Sequence, residues 1–265
     1  KLNQLKQESI YSTLAHGRVS IVHRTCYEVI SGNGLFQCEL TGNMMYGKSD
    51  DELPCTGDWV IFQPFDEHKG IIVDRLPRER TLYRKKSGTV ADKQAIASYV
   101  DKAFIVQSLD DNFNVRRVER FMVQIMEENI SSVLVLNKAD LDFDRQSVEE
   151  QIKHISSQIP VFFTSIHQPE TIVRLRKSIS EGETVVFVGS SGVGKSSLVN
   201  ALCEKPVLLT SDISLSTGKG RHTSTRREMV LMDSSGVLID TPGVREFGLA
   251  IDNPDSLAEV LEISD

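Results

Sequence analysis

The sequence predicts two units in series, a small all-β barrel followed by an α/β domain with a mostly parallel sheet. Short strand-like runs broken by turn residues fill residues 15–78. From about residue 90, continuous apolar runs alternate with amphipathic helical segments. Between them lies RERTLYRKKSGTVADKQ, polar and basic, where the boundary is placed. The resulting units are 1–80 and 81–250, with 251–265 beginning a C-terminal segment.

The strand-like runs of the first unit are GRVSIVHRTCYEVI, LFQCELTG, GDWVIFQPF and KGIIVDRL, separated by SGNG, GKSDDELP and DEHK. About five short strands are too few for a sandwich and suit a small barrel. An OB-type barrel closes with that number; periodicity leaves an SH3-like barrel open. Of the aromatics Tyr27, Phe36, Tyr46, Trp59 and Phe62, several must fill the barrel core. Trp59 is expected there rather than as a stacking platform.

The second unit carries the apolar runs KAFIVQSL, SSVLVLNK, PVFFTS, ETVVFVG and GVLIDTPG. Two helical segments, NVRRVERFMVQIMEENI and RQSVEEQIKHISSQI, lie between them. Apolar strands alternating with helices indicate parallel strands covered on both faces.

A length of 265 residues suits two domains, and 40% hydrophobic with 25% charged residues is ordinary for a soluble globular chain. No apolar stretch approaches the roughly 18 residues that cross a bilayer, so no membrane is expected. KLNQLKQESIYSTLAHG lacks a signal-peptide core. Cys26, Cys38, Cys55 and Cys203 form no CxxC pair, so neither a disulfide scaffold nor a zinc site is expected from spacing. A reduced cytoplasmic setting and a monomer are the expectations.

The net charge of −7 argues against a nucleic-acid binder taken alone, but its distribution is uneven. Arg75, Arg78, Arg80, Arg84, Lys85 and Lys86 face only Glu79, and Lys219, Arg221, His222, Arg226 and Arg227 have no acid among them. Both clusters suit a phosphate-binding face. The plainer reading is a solvated linker and a loop near nucleotide phosphates.

GSSGVGKS, Gly189–Ser196, fits GxxxxGK[ST], with the strand VVFV before it and the apolar segment SSLVNAL after it. Gly189, Gly192 and Gly194 let the backbone of Ser190, Ser191, Val193 and the helix start at Ser197 wrap phosphates with amide N–H groups. Lys195 would bridge the β and γ phosphates, and the Ser196 hydroxyl would ligate Mg²⁺.

NKAD, Asn137–Asp140, follows an apolar strand, so it sits where α/β sheets bind ligands. Asp140 offers two acceptors for the N1–H and 2-amino donors of guanine, a pair that adenine lacks. Asn137 would hold the neighbouring loop and the O6/N7 side, while the Lys138 stem covers the ring. Thr164 and Ser165, ending the next strand, would cap O6. GTP and GDP are the expected ligands.

DTPG, Asp240–Gly243, also ends a strand. Asp240 would hold Mg²⁺ through water, and the Gly243 amide would sense the γ phosphate. GKGRHTSTRR, 218–227, supplies Thr223 or Thr225 as the switch threonine for Mg²⁺ and γ phosphate; Thr223 is preferred. The position after the DxxG glycine, often a glutamine that orients water, is Val244. Slow basal turnover follows, and His222 is the internal candidate for positioning water, with a phosphate- or RNA-contacting role as its alternative.

The base-reading motif here precedes the P-loop and DTPG comes last, whereas in an ordinary small GTPase the P-loop comes first and the base-reading motif last. Opening one loop and joining the old termini leaves the strand ends converging on one crevice.

GRVS, GDWV, LPRERTL, NKAD, GSSGVGKSSLVNAL, GRHTSTRR and DTPGVREFGL, in that order, resemble the circularly permuted YjeQ/RsgA GTPases over nearly the whole chain. The resemblance implies an N-terminal OB fold and a permuted GTPase domain. It also implies late maturation of the 30S ribosomal subunit, with GTP hydrolysis stimulated by that subunit. The barrel and Arg75–Lys86 would then contact 16S rRNA. Family members continue into a helical domain holding zinc through three cysteines and a histidine. No cysteine follows Cys203 here, so the expectation is a truncated sequence or a member without that domain, and no zinc in these residues. The competing reading is a nucleotide-switched module on another RNA, with little turnover. A P-loop ATPase or small-molecule kinase is the third.

Overall fold

The computed structural model describes residues 14–45, 49, 51–85, 93–111, 113–208, 227–233 and 236–242. The first unit contains β1 (Ala15–Val22), β2 (Tyr27–Ser31), β3 (Gly34–Leu40), the single-turn α1 (Gly42–Met45), β4 (Trp59–Asp66) and β5 (Lys69–Arg75). Its strands run in the order β1-β2-β3-β5-β4, and β4 returns to pair with β1, closing a five-stranded barrel. All neighbours are antiparallel except β3–β5. That closure decides between the barrel alternatives in favour of the OB type. Alternation fills the interior with Val19, Tyr27, Val29, Phe36, Cys38, Val60, Phe62 and Ile72.

Trp59 does not join them. It is half-buried, and the Arg18 guanidinium lies 5.7 Å from its ring centroid, a cation–π arrangement at the barrel's outer wall. The expected core position fails because Val60 and Phe62 point into the barrel, and strand alternation turns Trp59, one residue out of phase, to the other face.

The α/β sheet has the order β10-β9-β8-β11-β13-β12. Here β8 is Lys102–Ser108, β9 Ser131–Asn137, β10 Val161–Thr164, β11 Thr184–Val188, β12 Glu228–Leu231 and β13 Val237–Asp240. Five strands are parallel and β12 is antiparallel. Helix α2 (Val115–Glu127) starts at Asn114, whose side chain accepts the Arg117 N–H. Its Val118, Phe121, Met122 and Ile125 cover one sheet face, against Leu134, Leu136 and Val186. The segment RQSVEEQIKHISS forms two short helices, α3 (Arg145–Gln151) and α4 (Lys153–Ser156). Helices α5 (Pro169–Lys177) and α6 (Lys195–Cys203) cover the opposite face through Ile172, Leu175, Leu198, Val199 and Leu202.

Where the boundary was placed, β6 (Leu82–Lys85) and β7 (Lys93–Ala97) form a separate two-stranded sheet. Asp58, fully buried, gathers this seam. It takes the Arg78 Nη2 at 2.8 Å, the Ser98 Oγ at 2.5 Å and the Cys55 N–H at 2.7 Å. Arg78 is therefore no free RNA-facing cation: its side chain is 8% exposed and spent on a buried carboxylate. Arg80 pairs with Asp101, and Arg84 donates to Gln94. Of the described cations here, Arg78 is structural, because a buried acid needs a partner. Arg18 ties barrel to sheet, donating to Gly57 O and Thr184 Oγ1, and β1 meets β12 at Ile21 and Glu228.

Candidate functional site

The parallel sheet brings its loops to one edge because each strand runs the same way and ends there. The loop after β11 is the glycine-rich one. Gly189, Gly192 and Gly194 have φ values of +151°, +83° and +94°, in the region that favours glycine. A Cβ on Gly194 would overlap the Asn137 amide nitrogen, and one on Gly189 would overlap the Val106 carbonyl oxygen. The loop thus packs too closely on β8 and β9 to carry side chains at those positions. Ser190, Ser191 and Val193 complete it, and Val193 is buried in the core below. Ser197 lies in the first turn of α6.

Lys195 opens α6 and is 5% exposed. Its ammonium donates to Gly189 O at 3.0 Å and Ser190 O at 2.9 Å. Burial pulls its pKa down to about 8, with the Asp240 charge opposing. The Ser196 hydroxyl donates to Asp240 Oδ2 at 2.6 Å. Asp240 is 1% exposed, and its Oδ1 has no partner among the described residues. Burial raises its pKa, opposed by the Ser196 hydroxyl and the Lys195 charge. A buried carboxylate with one uncommitted oxygen, beside a hydroxyl oxygen, is a donor set that suits a hard divalent cation.

The base-reading candidates stand on neighbouring strand ends. Asn137, 4% exposed, donates from Nδ2 to Val193 O at 2.8 Å and so holds the glycine-rich loop. Its Oδ1 accepts from Thr164 Oγ1 at 3.3 Å. Lys138 has φ +62° and places its ammonium 2.8 Å from Asp110 Oδ2. Asp140 is exposed, and a hydrogen bond from Ser165 holds its carboxyl below the usual range, with backbone and nearby cations adding to it. Ser165 itself is buried, its N–H donating to Thr171 Oγ1.

Asn137, Lys138, Thr164, Ser165, Lys195, Ser196 and Asp240 therefore converge through direct contacts or adjacent strand ends. His222, Thr223, Thr225, Gly243 and Val244 lie outside the described residues. Sequence reading missed Ser108 and Asp110, which have no motif, and Thr241, whose buried hydroxyl donates to Phe187 O at 2.6 Å. A separate cavity of about 630 Å³, lined by Phe143, Arg145, Phe163 and Arg174 among others, contains none of the expected nucleotide residues.

The RsgA GTPase family model matches residues 75–250, more than half of the chain. A protein of Bacteroides thetaiotaomicron named small ribosomal subunit biogenesis GTPase RsgA 1 is 77% identical over 260 residues, covering 98% of this chain and 73% of the relative. A protein of the same name from Oceanobacillus iheyensis is 36% identical, over 91% and 69%. Among solved structures, YjeQ of Thermotoga maritima superposes with a TM-score of 0.71 at 24% identity, covering 95% of this chain and 83% of that one. YloQ, described as a circularly permuted GTPase, gives 0.64 at 20% identity, covering 96% and 80%. These two likenesses bear out the barrel followed by a permuted α/β domain. The family match and the two relatives agree with the motif order read along the chain, and the chain belongs to the RsgA GTPase family.

Proposed function

We propose that this GTPase binds the small (30S) ribosomal subunit and its 16S rRNA as a cytoplasmic monomer, and assists late maturation of that subunit with subunit-stimulated GTP hydrolysis. One observation carries the ribosomal part: 77% identity across 98% of the chain to a relative named for small ribosomal subunit biogenesis. Residues 1–80, the barrel, would face rRNA, and 81–250 would turn over GTP.

The chemistry assigned to the site follows from its contacts. Lys195 would exchange the carbonyls of Gly189 and Ser190 for β and γ phosphate oxygens, which add opposing charge at its buried position. Gly189–Ser197 would present backbone N–H groups to the same phosphates. Ser196 and Asp240 would hold Mg²⁺, Asp240 through water; when bound, the ion offsets charge on the phosphate oxygens. Asp140 would accept from the guanine N1–H and 2-amino groups, beside Asn137, Lys138, Thr164 and Ser165. Gly243, Thr223 and His222 are assigned the γ-phosphate contact, the second Mg²⁺ contact and water positioning on motif grounds alone.

GTP turnover titrated with purified 30S, 50S and 70S particles tests the reading. Turnover should rise with 30S and not with 50S. A flat response to 30S, or an equal response to 50S, would sink the ribosomal assignment.

A further inference from the structure

We propose that Asp110 is a positioning residue for guanine recognition: it fixes the Lys138 side chain through contacts that use no nucleotide atom. This rests on the reading of Asn137–Asp140 as the base-reading loop.

Lys138 has a left-handed backbone, φ +62°, a conformation that costs a residue bearing a Cβ and persists only where surroundings impose it. Three strand ends impose it here. Leu109 N–H donates to Asn137 O at 2.9 Å, Ala139 N–H to Thr164 O at 2.9 Å, and Leu141 N–H to Lys138 O at 3.1 Å. The side chain is fixed separately. Asp110 Oδ2 takes the Lys138 ammonium at 2.8 Å, while Asp110 Oδ1 accepts the Ser108 hydroxyl at 2.7 Å. Ser108 is 1% exposed and is the last residue of β8, in register with Asn137 on β9.

An exposed lysine–carboxylate pair contributes little, because both side chains must be ordered to make it. In this pair the carboxylate is already anchored on a buried hydroxyl at a rigid strand end, and only the lysine has freedom left to lose. The pair is also partly shielded, with side-chain exposures of 35% for Lys138 and 25% for Asp110. Lysine has one of the largest rotamer entropies of any side chain. Ordering it within the protein removes that cost from ligand binding. The benefit falls on the base side of the site, remote from Lys195, Ser196 and Asp240. It should therefore be the same for GDP and GTP.

The test is a set of binding titrations with fluorescent GDP and a fluorescent nonhydrolysable GTP analogue, on wild type, Asp110→Ala, Lys138→Ala, the double variant, Asp110→Glu and Asp140→Asn. Asp110→Ala should weaken both nucleotides alike by about fivefold. In the Lys138→Ala background the same change should cost nothing further, and Asp110→Glu should recover part of the loss. KM for GTP should rise by more than kcat changes. Asp110→Asn, close in shape, carries the same expectation if the alanine variant does not fold. Unchanged affinity in Asp110→Ala, an undiminished loss in the Lys138→Ala background, or a loss confined to the GTP analogue would overturn the proposal. If Lys138→Ala and Asp140→Asn both leave affinity unchanged, the base-loop reading itself fails. If they weaken binding while Asp110 does not couple to Lys138, only the Asp110 assignment falls.

Discussion

At the base-reading end of the proposed cradle, polar groups satisfy one another in an arrangement that needs no ligand to hold it. Asn137 bridges Thr164 and the glycine-rich loop, Ser165 is held by Thr171, and Asp110 holds Lys138. At the phosphate end the same economy works against binding. Lys195 is engaged by two carbonyls of its own loop, Ser196 is turned onto Asp240, and one Asp240 oxygen is buried without a partner among the described residues. On the proposed assignments, the base end would meet guanine with its partners already in place, whereas the phosphate end would exchange internal partners for phosphate and cation. Base selectivity would then be a constant of the fold, and grip on the phosphates would depend on nucleotide and Mg²⁺ state.

The largest effect should come from the phosphate end. A hydrogen bond to a charged group contributes up to about 3 kcal/mol, so Lys195→Ala should weaken GTP by roughly a hundredfold. The loss for guanosine, which has no phosphates, should be negligible in the same titration. An equal loss for guanosine would mean that Lys195 supports the whole loop and that the two ends are not separable.

Asp140→Asn strikes the other end. Replacing the carboxylate should weaken GTP by roughly thirtyfold, for a charged hydrogen-bond pair of about 2 kcal/mol. Xanthosine triphosphate should gain by a similar factor, since an amide can donate to the 2-oxo group. The ratio of triphosphate to diphosphate affinity should not move. Competition titrations read all three quantities. A shift in the triphosphate-to-diphosphate ratio would show that the ends communicate, contrary to the separation drawn here.

How much of this was legible along the chain depended on burial. Strands β8, β9, β11 and β13 are buried on both faces, so each reads as an unbroken apolar run. Strand β12 is short and half-exposed, with Met229 inward and Leu231 47% exposed, and four residues carry too little pattern to be read. Strand β6 and the first two residues of β7 fall inside what reads as a polar, basic linker, which masks the pair. Helices α3 and α4 read as one segment because the break at Ile152 leaves the apolar spacing intact. The closing pair β1–β4 and the parallel β3–β5 pair are long-range facts with no local signature. The site divides in the same way. Glycine spacing announced the phosphate loop, since only glycine tolerates those φ values and the approach of Asn137 to Gly194. Asp110 stands 28 residues from Lys138, in no motif, and a carboxylate's partner across the fold cannot be read from its neighbours. Arg78 shows the converse error, a cation assigned to RNA that a buried acid had already claimed.

The smallest expected effect probes the Ser196–Asp240 contact at the phosphate end. Ser196→Ala removes the hydroxyl that Asp240 Oδ2 accepts, leaving both oxygens of a 1% exposed carboxylate without a protein side-chain donor among the described residues. Folding stability without nucleotide should fall by about 1–3 kcal/mol, the cost of an unsatisfied buried polar group. Mg²⁺ should lose a ligand at the same time, so the gain in GTP affinity on adding Mg²⁺ should shrink about fivefold, one neutral contact of about 1 kcal/mol. Binding measured in chelator should hardly change, because the phosphates are then gripped by Lys195 and the loop amides alone. Thermal melts and titrations with and without Mg²⁺ separate the two effects. If affinity falls equally in chelator and in Mg²⁺, Ser196 acts on the loop's shape rather than on the cation. The phosphate end would then be as fixed as the base end.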